Sequence, residues 1–159
     1  MRRIPAALAV LSMLFALSAC GNTPDVTEYL SLPFSCEARI TAESSEYLAA
    51  VEKGGANLVS VRINYPESLS GMTLSLGAEN EIEFRGAKAG RGFPHSLAEL
   101  IYDAFNDANR VEVFSDGNDR IVRFISRRGV GSIRIDGYSA VPVSLESDGV
   151  YIEFNDFKR

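Results

Sequence analysis

Alternation of apolar and polar residues dominates this 159-residue chain from Phe34 onward. Between residues 59 and 65, for example, Val59, Val61 and Ile63 alternate with polar side chains. This period of two places successive side chains on opposite faces of a β-strand, one buried and one solvated. Turn residues, mostly glycine and proline, separate the alternating runs. The pattern predicts strands at residues 34–40, 46–53, 58–65, 72–76, 82–84, 111–114, 120–126, 130–135, 139–146 and 149–154.

One segment follows a helical period instead. Ser96 and Glu99 have the spacing of a capping box, and Asn109 is a plausible stop signal. We therefore predict an amphipathic helix over residues 96–109. Its apolar stripe comprises residues 97, 100, 101, 104, 105 and 108.

The number of strands constrains the fold class. A sheet of about nine or ten antiparallel strands does not stay flat without curling. The helix needs an apolar partner surface, which the concave side of such a sheet provides. We predict an α+β, mainly β fold: a strongly curved, half-open barrel with the helix on its concave face. Pro142 lies inside a predicted strand, so that strand should be an edge or carry a bulge.

The N-terminus has the features of a secretory signal. Arg2 and Arg3 precede an uncharged apolar run, residues 4–17, which is too short to span a bilayer at about 20 helical residues. Leu17-Ser-Ala-Cys20 resembles the lipobox of bacterial lipoproteins, in which the cysteine receives a diacylglycerol before cleavage. The resemblance implies a cleaved signal at 1–19, a lipidated Cys20 with a short tether to residue 33, and a single domain at 34–159. The mature protein would then be anchored in the cell membrane on its extracytoplasmic face.

The charge of the mature chain limits its partners. All 21 acidic residues follow Cys20, whereas two of the 16 basic residues, Arg2 and Arg3, precede it. The mature chain therefore has 14 basic residues and a formal charge of −7. Such a domain is repelled by phosphate backbones, so nucleic acid is not an expected partner.

The segment from Phe34 to Phe84 resembles the LolA-like superfamily, which includes outer-membrane lipoprotein carriers, their anchored receptors and related lipoproteins. In this pattern a strand, here Leu58–Tyr65, runs into Pro66 and a short link ending at Gly71, after which a hairpin follows. The carriers hold acyl chains in the apolar concave side of a half-open barrel. The resemblance implies a non-enzymatic protein that binds a lipid or a lipoprotein acyl chain between sheet and helix. The matching positions are Val59, Val61, Ile63, Leu74, Leu76, Ile82 and Phe84 on the strands, with Leu97, Ile101 and Phe105 as the lid.

Periodicity alone does not separate an open cavity from a filled core. A filled core would make the domain a structural or interaction module that docks a protein partner at the cell envelope. The identity of that partner is not encoded in any motif of the chain.

Few side chains could support catalysis. His95 is the one histidine, and its neighbour Ser96 is better explained as a helix cap. Asp116, Asn118 and Asp119 lack the later glutamate of a calcium loop and are interpreted as a solvated hairpin turn. We predict no catalytic residue, no metal site and no cofactor.

Three further features have structural and functional interpretations. Cys36 is either an inert core thiol or, near cationic groups, a reactive one. Residues 86–92 are interpreted as a mobile glycine-rich loop or as a cavity rim whose Lys88 and Arg91 meet lipid headgroups. Arg123, Arg127 and Arg128 are interpreted as a solvated edge that discourages strand pairing.

Overall fold

The computed structural model describes residues 32–55, 58–77, 80–90, 97–106 and 109–159. The predicted signal, Cys20, most of the tether, Arg91, His95 and Ser96 lie outside these residues. The strands are β1 (Phe34–Ala42), β2 (Ser45–Lys53), β3 (Val59–Tyr65), β4 (Thr73–Leu76), β5 (Glu81–Phe84), β6 (Ala87–Gly90), β7 (Arg110–Asp116), β8 (Asp119–Ser126), β9 (Gly129–Ile135), β10 (Pro142–Ser147) and β11 (Val150–Lys158). Helix α1 spans Leu97–Ala104, and one 3-10 turn spans Glu67–Leu69.

All the strands form one open antiparallel sheet in the order β6-β5-β4-β3-β2-β1-β11-β10-β9-β8-β7. The first strand therefore pairs with the last at the centre, and β6 and β7 form the edges. The fold is mainly β, with one α-helix among the described residues, as predicted. Over the described ranges it contains eleven strands, however, rather than nine or ten.

The contacts of α1 show that the sheet curls around it. The helix contacts β3 and β4 on one wing and β8 and β9 on the other. Six interstrand spacings separate β3 from β8, which amounts to roughly 29 Å in a flat sheet. A helix is only about 10 Å wide, so both wings reach it because the sheet is concave on that side. We call the side facing α1 the inner face and the opposite side the outer face.

The structure corrects several predicted boundaries. The glycine-rich segment was predicted to be a loop, but Ala87–Gly90 is strand β6 and pairs with β5. Strand β11 continues to Lys158 rather than ending at 154. Helix α1 ends at Ala104 rather than at 109.

Pro142 illustrates how the sheet accommodates a residue without a backbone donor. It opens β10, a strand that lies between β9 and β11 and is therefore not an edge. The pairing with β9 shifts register between Pro142 and Ser144. Of the two predicted outcomes, the bulge is confirmed and the edge position is wrong.

The core lies between the inner face and α1. Alternate residues of the strands are buried there, beginning with Phe34, Cys36, Ala38 and Ile40 on β1. Ile101 and Phe105 enter the same core from the helix side. No helix in the described ranges is long and apolar enough to cross a bilayer.

Candidate functional site

Strand register places the predicted lining residues of β3, β4 and β5 on one face. Val59 pairs with Leu76, and Val61 pairs with Leu74. Leu74 in turn pairs with Ile82. Directly opposed residues of antiparallel strands project to the same side, so these side chains share the inner face.

The predicted lining divides into a packed half and an accessible half. Val59, Val61, Ile63, Ile101 and Phe105 are at most 3% exposed. Water does not reach surfaces that are so nearly inaccessible, so these side chains are packed against neighbours rather than open space. The inner part of the predicted cavity is filled by the protein's own side chains in this conformation.

The accessible half lies toward the β6 edge. Leu74, Leu76, Ile82 and Phe84 are only partly buried, and we call these four residues the apolar strip. Leu97, also partly buried, opens the helix that contacts β4. The Arg85 guanidinium lies 4.9 Å from the ring centroid of Phe84, a cation–π contact at the end of the strip. The ligand-binding role assigned to all ten lining residues stays a prediction.

Lys88 does not face the strip. Its Nζ lies 2.7 Å from Glu81 Oε1 and 3.7 Å from Glu83 Oε2. Both glutamates alternate with Ile82 and Phe84, so this cluster belongs to the outer face. The hydrogen bond to Glu81, followed by the charges of Glu81 and Glu83, raises the pKa of the Lys88 ammonium. Lys88 therefore forms exposed ion pairs with β5 on the outer face.

Two acidic residues tie α1 to the β8–β9 turn. Glu99 is 7% exposed, and its Oε1 accepts a hydrogen bond from Arg127 Nη1 at 3.0 Å. One turn later, Asp103 Oδ2 accepts from the Arg127 backbone N–H at 3.4 Å. Arg127 is solvated, as predicted, but it lies in the β8–β9 turn rather than on an edge strand, and it contacts the helix. Arg123 pairs with Glu112 at 3.2 Å on the β7–β8 hairpin.

Asp103 lies in a partly buried environment. Burial raises the pKa of its carboxyl, an effect opposed mainly by the hydrogen bond from Arg127 and the charge of that residue. Asn109 Nδ2 also donates to Asp103 Oδ1 at 3.1 Å. The partly buried carboxyl therefore accepts hydrogen bonds from two protein donors.

Aromatic contacts secure the C-terminal end of α1. The ring centroids of Phe105 and Phe34 lie 4.7 Å apart, and those of Phe105 and Phe154 lie 5.8 Å apart. Phe34 also stacks on Phe157 at 4.6 Å. The cluster anchors the helix to β1 and β11 at the centre of the sheet.

Other candidate residues from the sequence have structural roles. Arg134 binds Asp116 and Asp119, each at 2.9 Å, which accounts for the acidic hairpin turn. Cys36 is buried on the inner face, and burial raises the pKa of its thiol to about 12. Within the described ranges, no group of three or more metal-ligating side chains is present.

Sequence reasoning missed a second concavity, on the outer face of β11, β1, β2, β3 and β4. It encloses about 440 Å³. No single strand signals it, because its residues come from five strands and meet only through their register.

Two solved structures are similar to the whole fold. An uncharacterized conserved protein from Thermus thermophilus matches 93% of this chain and 87% of its own, with a TM-score of 0.52 and 16% identity. A LolA superfamily protein from Nitrosomonas europaea matches 87% of this chain and 94% of its own, with a TM-score of 0.50 and 11% identity. No protein-family model and no curated protein matches the sequence. The chain has a LolA-like fold, and at these identities the likeness establishes the fold alone.

Proposed function

We propose that this protein is a membrane-anchored lipoprotein that binds an acyl chain along the apolar strip, between β4–β5 and α1. One observation carries the proposal: Leu74, Leu76, Ile82 and Phe84 form an apolar, partly accessible surface on the concave side of a LolA-like sheet. A contiguous apolar surface rimmed by charged residues is typical of a binding site. The Arg85 guanidinium, beside the Phe84 ring, supplies a charge at one end of the strip.

The packing of α1 indicates which side of the helix opens. Arg127 ties α1 to the β8–β9 turn, and Phe105 ties it to Phe34 and Phe154. Its remaining contacts, with β3 and β4, are the ones that an entering chain separates. An acyl chain therefore enters beside Leu97 and displaces α1 from β4, while the β8–β9 contacts persist.

The expected affinity follows from apolar burial. Each buried methylene contributes about 0.8 kcal/mol, so ten methylenes contribute roughly 8 kcal/mol. Immobilising the chain and moving α1 offset part of this gain. We therefore expect dissociation constants above micromolar, on the order of 10–100 micromolar.

We propose that a diacylglyceryl group on Cys20 holds the protein at the membrane. Eleven residues lie between Cys20 and Leu32, and the twelve peptide bonds that join the two span at most about 40 Å. Lys53 Nζ donates to the Leu32 carbonyl at 3.4 Å, which fixes where the tether joins the domain. The domain thus stays close to the bilayer that supplies its ligand.

A second candidate function is docking of a protein partner, with the core remaining filled. It is supported by exposed apolar pairs on the outer face. Ile125 and Val130 oppose each other on β8 and β9 and are 56% and 66% exposed. Leu48 and Tyr65 oppose each other on β2 and β3 and are 41% and 53% exposed.

Ligand titration tests the first candidate against the second. Delipidated protein is titrated with a fluorescent fatty acid, and we expect saturation near one ligand per chain. Ile82→Glu places a charge on the strip and should weaken binding at least about tenfold. Ile125→Glu, on the outer face, is the matched control and should leave affinity unchanged. Absence of saturable binding by folded wild-type protein, or equal effects of the two variants, would overturn acyl-chain binding.

Membrane fractionation tests the anchor separately. Cys20→Ala should release the protein from the membrane fraction, because the two acyl chains of the diacylglyceryl group supply the attachment. Retention of this variant as firmly as wild type would contradict lipidation at Cys20.

A further inference from the structure

The concavity on the outer face, which we call the outer furrow, lies on the opposite side of the sheet from the apolar strip. Its volume of about 440 Å³ is in the range of small-molecule sites. Small side chains form its floor and charged ones surround them. The outward-facing residues that line it include Ser35, Glu37, Ala50, Glu52, Arg62 and Lys158.

Register explains why a depression forms here. Ser35 lies between Lys158 and Glu52 on the neighbouring strands. Ala50 lies between Glu37 and Arg62 in the next row. Each row thus places a small residue between longer ones, and the two small residues together leave a space above the sheet.

A β-bulge adds a third carboxylate. Glu37 pairs with Asn155 and Ser35 with Lys158, so two residues of β11 oppose Cys36 alone. Asp156, one of the two, has a φ of 50°, in the left-handed region that aspartate tolerates better than most residues. A bulge changes the direction in which the side chains of its strand point, and here Asp156 lines the furrow.

Within the described residues, the charged side chains of the furrow are not paired with one another. In the described part of the chain, Glu37, Glu52, Arg62, Asp156 and Lys158 form no ion pair with one another or with other residues. Several other charges on the outer surface are paired. Arg39 pairs with Glu46, for example, at 3.4 Å. The furrow therefore holds both signs of charge, oriented around a space instead of toward each other.

The positions of the positive and negative side chains indicate which kind of ligand fits the furrow. Glu37 and Glu52 are diagonal neighbours on β1 and β2, about 7–8 Å apart at the backbone, where like charges repel. Arg62 lies on the β3 side of this pair and Lys158 on the β11 side. A cation between the glutamates relieves their repulsion, and an oxyanion beside Arg62 or Lys158 gains a charge-assisted hydrogen bond.

We propose that the outer furrow binds a small zwitterion, with its ammonium between Glu37 and Glu52 and its carboxylate or phosphate at Arg62 or Lys158. A simple anion meets three carboxylates and a simple cation meets two basic groups, so neither matches the site alone. A zwitterion satisfies both halves. The hydroxyls of Ser35, Ser60 and Thr73 provide neutral hydrogen-bond partners on the floor.

Two sources share this chemistry, a phospholipid headgroup and an amino-acid or peptide zwitterion. Glycerophosphoethanolamine represents the first and diglycine the second. Glycerophosphate and ethylamine carry one charge each and serve as single-sign controls. Backbone amide NMR shifts of Glu37, Ala50 and Arg62 report occupancy of the furrow, independently of the apolar strip.

We expect at least one zwitterion to shift these amides with an affinity at least about tenfold higher than either single-sign compound. The zwitterion that binds more tightly identifies the source. Because the groups are exposed, binding should weaken as salt increases.

Charge-neutral variants complete the test. Arg62→Gln and Glu52→Gln should each weaken binding at least about fivefold. Arg39→Gln removes a neighbouring outer-face charge and should leave affinity unchanged. Zwitterions that bind no better than glycerophosphate or ethylamine, or variants that all bind like wild type, would overturn the proposal. Neither result would bear on acyl-chain binding at the strip.

Discussion

Arg127 holds Glu99 across 28 positions of sequence: its Nη1 lies 3.0 Å from the glutamate Oε1, while its backbone N–H reaches Asp103. A single residue of the β8–β9 turn thus binds two carboxylates spaced one turn apart on α1. Glu99 is nearly buried, whereas the Arg127 side chain is 71% exposed. The helix that covers the concave face is therefore held by polar contacts at the β8–β9 turn and by apolar packing against β3 and β4.

Removal of the Arg127 guanidinium should destabilise the protein. Arg127→Gln leaves the Glu99 carboxylate nearly buried without this donor, at a cost of about 1–2 kcal/mol. Urea unfolding measures the change in the free energy of unfolding. Arg39→Gln breaks an exposed pair with Glu46 and should cost less than about 0.5 kcal/mol. Equal effects of the two variants would show that the Glu99 contact does not secure α1.

Asp103 should make stability fall with rising pH in acid solution. Its pKa is raised in the folded state, chiefly by burial, so the folded protein holds this proton more tightly than the unfolded chain. Its contribution is fully present below the ordinary carboxyl value of 3.8 and is lost as pH rises through the raised pKa. Asp103→Asn removes this term and keeps an oxygen acceptor for Arg127.

The free energy of unfolding of wild type and Asp103→Asn is compared by urea titration from low pH to neutral pH. We expect the difference to shift in favour of Asp103→Asn as pH rises. A difference that is constant with pH, or one that shifts in favour of wild type, would contradict the raised pKa.

Cys36 should be unreactive in the folded protein. Burial raises its pKa to about 12, so almost no thiolate exists at pH 8. A Cys20→Ser protein has Cys36 as its one thiol, and a chromogenic disulfide reagent measures its reactivity. Reaction is expected only after unfolding in guanidinium; rapid reaction of the folded protein would mean that Cys36 is accessible.

Phe105 should contribute strongly to stability by packing the end of α1 against the sheet. Phe105→Leu removes ring contacts with Phe34 and Phe154 from a site that is 1% exposed. We expect a loss of about 1–2 kcal/mol in unfolding free energy, since the substitution keeps an apolar side chain but loses volume. Tyr102→Leu, at a partly buried position on the same helix, should cost less. An equal or smaller cost at Phe105 would argue against the aromatic cluster as the anchor of the helix.

Local patterns were sufficient to predict most of the fold. The period of two at Val59, Val61 and Ile63 and the helical period around Ile101 each reflect burial on one side of a single element, which is encoded in neighbouring residues. Strand β6 was missed because alanine, lysine and glycine are weak strand formers. Its pairing depends on β5, where Glu81 and Glu83 bind Lys88.

The contacts that position α1 and the charges of the outer furrow could not be predicted in this way. Arg127 and Glu99 meet because the sheet curls, and no local period encodes that approach. Ala50 and Ser35 lie together in a depression because of the register of three strands, and the sequence does not encode that register locally. Asp156 reaches it through a bulge, which shifts register at a single residue.

Locating a bound acyl chain tests the central claim most directly. A spin-labelled fatty acid is added to delipidated protein, and paramagnetic broadening is measured at the methyl groups of Leu74, Leu76 and Ile82, with Ile125 and Val130 as outer-face references. We expect the three strip residues to lose intensity at one equivalent of ligand while the references keep theirs. Broadening confined to Ile125 and Val130, or none at all, would contradict an acyl-chain site on the concave face.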